Sequence, residues 1–259
     1  MISINSAEIN AWIVAFFFPL ARVLATLAAA PPYNNPALPR RILLIFGLAI
    51  TFAIVPALPP TPAIEPASGA GLLIFAQQLL IGFGMGFAMR LVFTAVDMAG
   101  NLISLQMGLG FATAYDPTTA GQTGVVSELL GLLTLLLFLS INGHLMIIAT
   151  LTHSFTVLPL ANPRLAAASW WNLANTGIVI FSAGLLLSLP IIVALLVTNL
   201  AMAVLSRAAP QLNLMAIGFP LTITLGFAAL AIGLHYLSGP LQQLFEQGLA
   251  AMLVHWRLP

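Results

Sequence analysis

The sequence of 259 residues predicts an all-α membrane protein with about six to seven hydrophobic helices. Three observations carry that expectation. Hydrophobic residues make up 61% of the chain and charged residues only 5%, whereas a soluble domain carries about 25% charge. The mean hydropathy is +1.08. Apolar runs close to the roughly 20 residues that a bilayer-crossing helix needs recur along the chain. The charges are seven Arg, no Lys and six acids: Glu8, Glu65, Asp97, Asp116, Glu128 and Glu246. So few acids cannot solvate the surface of a water-soluble protein of this size. A soluble enzyme, a disordered chain and a nucleic-acid binder are excluded. The absence of cysteine removes disulfides, thiolate chemistry and Cys-based metal sites.

The first span is expected at about 11–30, interrupted by Pro19 and Arg22. No basic residue precedes Arg22, so this stretch reads as a retained helix rather than a cleaved signal. A loop, PPYNNPALPRR, fills 31–41. The second span, about 42–58, ends among Pro56, Pro59 and Pro60, and a Pro-rich loop with Glu65 follows at 59–70. The third runs from about 71 past Arg90 to Leu105, too long for one ordinary span. It is either one long helix leaving the bilayer plane or two segments, 91–105 then being a seventh helix. Residues 106–124, rich in Gly and Thr, read as non-helical. A strong span at about 125–150 and a polar connection, HSFTVLPLANPRLAAASWWN, come next. Uncharged runs at about 177–204 and 212–237 are separated by SRAAPQLN. The tail 238–259 is amphipathic, with Gln242, Gln243, Glu246 and Gln247 beside Leu241, Leu244, Phe245 and Leu249. No internal repeat is evident, and 1–259 is expected to be a single helical membrane domain. Arg40 and Arg41 place the 31–41 loop in the cytoplasm. Beyond residue 90 the two topologies put equal numbers of Arg inside, so the rule does not choose between them.

Arg22, Arg90, Asp97 and Glu128 lie within or at the ends of apolar segments. Arg22 and Glu128 are expected near helix ends, reaching the headgroups; the alternative is an interior or water-lined position. Arg90 and Asp97, seven residues apart, share one helix face and are candidate intramembrane charges, pairing with each other or with partner subunits. The four His are scattered without HExxH, so no metal site is expected. Tyr115 and Asp116 form half of an intramembrane aspartyl protease signature. The second carboxylate is missing, because GLGF at 108–111 has Phe in its place. No P-loop and no GxSxG occur, so ATP and serine hydrolysis lack their parts. No cofactor is implied. Gly82 and Gly86 have GxxxG spacing and make a helix-packing face, used either within the chain or against a partner.

The most unusual segment is LQMGLGFATAYDPTTAGQ at 105–122. Gln106, Met107, Gly108, Gly110, Phe111, Tyr115, Asp116, Pro117, Thr118 and Gln122 combine bulky apolar, glycine and polar groups. Pro117 disfavours helix just before it. Irregular backbone at membrane depth is tolerated only where protein buries it or a water cavity adjoins it. The segment is therefore expected to be a constriction or plug, Met and Phe on a glycine-hinged loop closing a pore; the plain alternative is a connecting loop.

Several stretches, in order, resemble the FliR/SctT family of type III export-gate subunits. FFFPLARVLATLAAAP at 16–31 is similar to the family's first helix, ALPRR at 37–41 to the loop after it, and QQLLIGFGMGF at 77–87 to the third helix. LQMGLGFATAYDP at 105–117 resembles its central loop, FLSINGH at 138–144 the next helix, and RAAPQLNLMAIGFPLTI at 207–223 its most diagnostic stretch. The GFPLT ending favours the flagellar branch over the injectisome branch. The resemblance implies helical hairpins stacked around a pore and plugged by 106–122. It implies assembly with FliP and FliQ in a ring, with FlhB and FlhA as further partners. Unfolded flagellar substrates would pass through it, at the basal body in the bacterial inner membrane, the assembly protruding toward the periplasm. No enzymatic activity is implied. A stand-alone secondary transporter is the alternative, although the repeat symmetry common in such folds is not found.

Overall fold

In the computed structural model the described residues are 6–58, 64–110, 124–160, 167–209 and 214–254. Among them, all regular structure is helical. The order is α1 (Ser6–Ala29), α2 (Arg40–Ile54) with a 3-10 turn at Val55–Ala57, α3 (Gly69–Gln106), α4 (Val125–Ser140), α5 (Gly143–Val157), α6 (Ala167–Asn175), α7 (Ile178–Ala208) and α8 (Leu214–Val254). Five described stretches are long and apolar enough to cross a membrane, or six if the broken pair α4–α5 counts as one span.

The long third segment is a single helix of 38 residues, about 57 Å at 1.5 Å per residue. That exceeds the roughly 30 Å hydrocarbon core. Its start is capped by Ser68, whose Oγ accepts from the Gly71 amide at 3.1 Å. The expected span 125–150 is interrupted instead: Asn142 adopts φ 58, ψ 28, left-handed backbone that Asn tolerates better than most residues. Helix α4 stops there and α5 restarts at Gly143. The tail is not a separate element. Helix α8 runs through 41 residues with Pro220 and Pro240 inside it. Its polar residues Gln242, Gln243, Glu246 and Gln247 are exposed, while Leu241, Leu244 and Phe245 are buried. That apolar face outweighs the helix-breaking cost of the prolines.

The described fold divides into two compact units of interleaved sequence. The first comprises Met1–Leu91, Asn142–Gly177 and Glu246–Pro259; the second comprises Val92–Ile141 and Ile178–Phe245. In the first, α1 and the start of α3 run parallel at close range. A Cβ on Gly82 would collide with the Arg22 carbonyl oxygen, and one on Gly86 would stand 2.5 Å from the Thr26 carbonyl and 2.7 Å from the Ala29 Cβ. Small residues four apart on both helices let the backbones approach this closely. In the second unit, Phe93, Phe138 and Phe245 meet with ring centroids 5.0 to 5.8 Å apart. Gly100 lies against the Ser127 backbone, and a Cβ on Gly184 would be 3.0 Å from the Ala95 carbonyl. These contacts bind the later part of α3 to α4 and α7.

Candidate functional site

The segment expected to form a plug leaves from the C-terminal end of α3. The helix ends in a Schellman motif: the Gly108 amide bonds the Leu105 carbonyl at 3.1 Å and the Leu109 amide bonds the Ser104 carbonyl at 3.0 Å. Gly108 has φ 83, a conformation that glycine adopts without strain. Met107 is fully buried. Its carbonyl accepts from Thr222 Oγ1 at 3.2 Å, and its side chain lies against Gly226 of α8, where a Cβ would stand 2.6 Å from Met107 Cγ. The return side of the segment is described from Gly124, the residue before α4. A Cβ there would stand 2.9 Å from Ser104 Oγ and 3.3 Å from Asn101 Oδ1. Both flanks are therefore fixed at the same end of α3. Gln106 and Gly110 are half-buried. Phe111, Tyr115, Asp116, Pro117, Thr118 and Gln122 lie outside the described residues.

The second unit also holds an apolar cavity of about 200 Å³ beside this stretch of α3, lined among others by Val96, Ile103, Leu130, Leu187 and Leu241. Thr134 and Ser238 are the polar residues in its lining. Of the candidate intramembrane charges, Arg90 and Asp97 are both exposed residues of α3. The Asp97 carbonyl accepts from Ser127 Oγ at 3.0 Å. Glu128 is exposed in the first turn of α4, where the helix dipole favours an acid.

Arg22 departs from expectation. It does not reach toward headgroups but is wholly buried in the first unit. Its Nε donates to Gln78 Oε1 at 2.7 Å, Nη1 to the Ser154 carbonyl and Oγ at 3.1 Å each, and Nη2 to the Leu158 carbonyl at 2.9 Å. The guanidinium lies 4.2 Å from the Phe155 ring centroid. Ser154 and Leu158 sit at the end of α5, where carbonyls lack intrahelical donors and the dipole is negative. The cation is thus a side-chain cap for a helix over a hundred residues away, with no carboxylate among these partners. On the connection after α1, the Tyr33 hydroxyl donates to the His144 carbonyl at 2.8 Å. Burial pushes the Tyr33 phenol up to about 12. Among the described residues, no three His, Cys, Asp or Glu side chains converge as metal ligands.

Comparison with known proteins meets this architecture along nearly its whole length. The profile described as bacterial export proteins, family 1, matches residues 13–248. The flagellar biosynthetic protein FliR of Pectobacterium carotovorum subsp. carotovorum is 41% identical over 248 residues, covering 95% of this chain and 94% of the relative. That of Escherichia coli (strain K12) is 40% identical over 247 residues, with the same coverage. That of Buchnera aphidicola subsp. Schizaphis graminum (strain Sg) is 34% identical over 230 residues, 89% of each chain. Near-complete coverage at this identity leaves no part of the helical architecture unmatched except its ends, and the chain belongs to the bacterial export protein family 1, the family resembled by its sequence and shared with the FliR proteins.

Proposed function

We propose that this chain is a pore-forming subunit of the flagellar type III protein export gate in the bacterial inner membrane. It assembles with FliP and FliQ in a ring, contacts FlhB and FlhA, and passes unfolded flagellar substrates. The observation that carries the reading is identity of 40–41% to named flagellar biosynthetic proteins over 95% of the chain. The long apolar helices support a membrane position. Exposed Leu, Ile, Val and Phe side chains along α7 and α8 support burial against lipid and other subunits. In this reading 106–122 plugs the closed pore, the amphipathic residues 238–259 belong to the same membrane domain, and the assembly protrudes toward the periplasm. Fixed flanks at one end of α3 support the plug, because a blocking segment needs a rigid base. The gate performs no covalent chemistry.

Two measurements test this. Native mass spectrometry of the tagged chain, extracted mildly from its own membrane, yields a large complex with other small hydrophobic proteins; a lone monomer or homodimer in several detergents refutes the assembly and moves a stand-alone transporter to first place. Deleting part of 106–122 leaves the complex assembled but leaking ions. An intact assembly with no leak and normal export refutes the plug.

A further inference from the structure

Thr222 and Gly226 lie four residues apart on one face of α8, and both meet the end of α3 at Met107. The Thr222 hydroxyl takes the backbone. Its single hydrogen is shared between the Met107 carbonyl at 3.2 Å and the Phe219 carbonyl of its own helix at 3.0 Å. Gly226 takes the side chain: a Cβ there would stand 2.6 Å from Met107 Cγ, 2.8 Å from Cε and 2.9 Å from Sδ. Thr222 and Met107 are both buried, and all these residues belong to the second unit. The next residue is Gly108 at φ 83, where the chain turns out of α3. Glycine leaves that turn conformationally free, and peptide planarity ties the Met107 carbonyl to the Gly108 amide. A donor on that carbonyl therefore fixes the direction in which the chain sets out. The Gly108 and Leu109 amides bond only to carbonyls of α3 itself, so they close the turn without referring it to another helix. The Thr222 hydroxyl supplies that reference.

We propose that Thr222 is a positioning residue of the export gate: its hydroxyl orients the Met107–Gly108 peptide and so sets the starting direction of the segment that blocks the closed pore. The proposal rests on the plug reading above. It separates cleanly from a space-filling role. If Thr222 merely filled space, its methyl group would matter and its hydroxyl would not.

The test uses the complex purified with the full chain and reconstituted in proteoliposomes. Potassium release is the readout, and native mass spectrometry reports assembly. A chain shortened within 111–122 sets the leak of an unblocked pore. Thr222→Val keeps the β-branched shape and removes the donor. It is expected to assemble like wild type and to release potassium about fivefold faster, as loss of one net hydrogen bond implies. Thr222→Ser, which returns the hydroxyl without the methyl, is expected to restore the wild-type rate. A tight Thr222→Val complex beside a leaking shortened chain, or a leaking Thr222→Ser complex, overturns the role of the hydroxyl alone. If Thr222→Val does not assemble, Gly226→Ala decides, because it leaves the hydroxyl in place and presses on the same methionine. A leak then supports the positioning of Met107 from α8, and a tight complex overturns it. A shortened chain that assembles without leaking overturns the plug reading and this role with it.

Discussion

Removing the Arg22 guanidinium tests whether a buried cation holds the first unit together by geometry or merely by charge. Arg22→Ala strips donors from four acceptors, but the loss is uneven. The Ser154 carbonyl keeps the Leu158 amide at 2.8 Å, and the Ser154 hydroxyl still donates to the Leu151 carbonyl at 2.6 Å. The Leu158 carbonyl and Gln78 Oε1 keep no other donor among the described residues. Each buried acceptor left bare costs about 1–3 kcal/mol, so a destabilisation of about 4 kcal/mol is expected. The stacking of Phe155 under the guanidinium adds up to about 1–2 kcal/mol when desolvated. Arg22→Lys keeps the charge and its attraction to the negative end of α5, yet an ammonium on a flexible stem cannot span Gln78, Ser154 and Leu158 at once. About half the loss is therefore expected to remain. The assay is reversible unfolding of the purified chain in mixed micelles, followed by tryptophan fluorescence and circular dichroism. A lysine variant as stable as wild type would refute the fork geometry. An alanine variant within about 1 kcal/mol of wild type would refute the cap altogether, since bare carbonyls at a buried helix end cannot be that cheap.

Gly86→Val should separate α1 from α3, because its Cβ would lie 2.5 Å from backbone; a loss of at least about 2 kcal/mol is expected. Gly69→Ala, where no atom lies within 4 Å, should be neutral or stabilising by up to about 1 kcal/mol, and both are read in the same unfolding assay. Gly226→Ala should cost about 1–3 kcal/mol by pressing on Met107, and combining it with Met107→Ala should cost less than the two changes added separately, in a double-mutant cycle. Tyr33 titrates in the folded chain at about 12, above its ordinary value of 10.0. Its contribution is present in full below pH 10 and is lost as pH rises through 12. Unfolding measured from pH 9 to 12.5 should show that alkaline loss in wild type and a smaller one in Tyr33→Phe.

Hydrophobic spans were legible because length and apolar content are local properties: the run expected at 177–204 is α7 at Ile178–Ala208. The helix break inside 125–150 had a local signal too, the Asn142–Gly143 pair, which marks turns. Continuous apolar sequence on either side masked it. Helix α8 passing Pro240 had none, since the buried face that outweighs the proline is a tertiary fact. Arg22 was the least legible. Its acceptors include backbone carbonyls 132 and 136 residues away, and no residue type announces a carbonyl at a helix end. Gly82 and Gly86 announced close packing but not its object. For the candidate plug, Gly108 was visible as a hinge residue, yet its part in ending α3 depends on the Ser104 and Leu105 carbonyls, which sequence does not display.

The interleaving of the two units has a consequence for how the protein is made. The first unit draws on residues 1–91 and also on 246–259, so it cannot close until that last segment has been synthesised. The second closes over its own last strip of α8 only slightly earlier. A nascent chain must therefore hold α1, α2 and a half-satisfied α3 in the membrane throughout synthesis, with long-range contacts forming last. A chain stalled before residue 246 would leave the first unit without one of its three segments. Synthesis of that segment thus acts as a checkpoint for closure of the first unit.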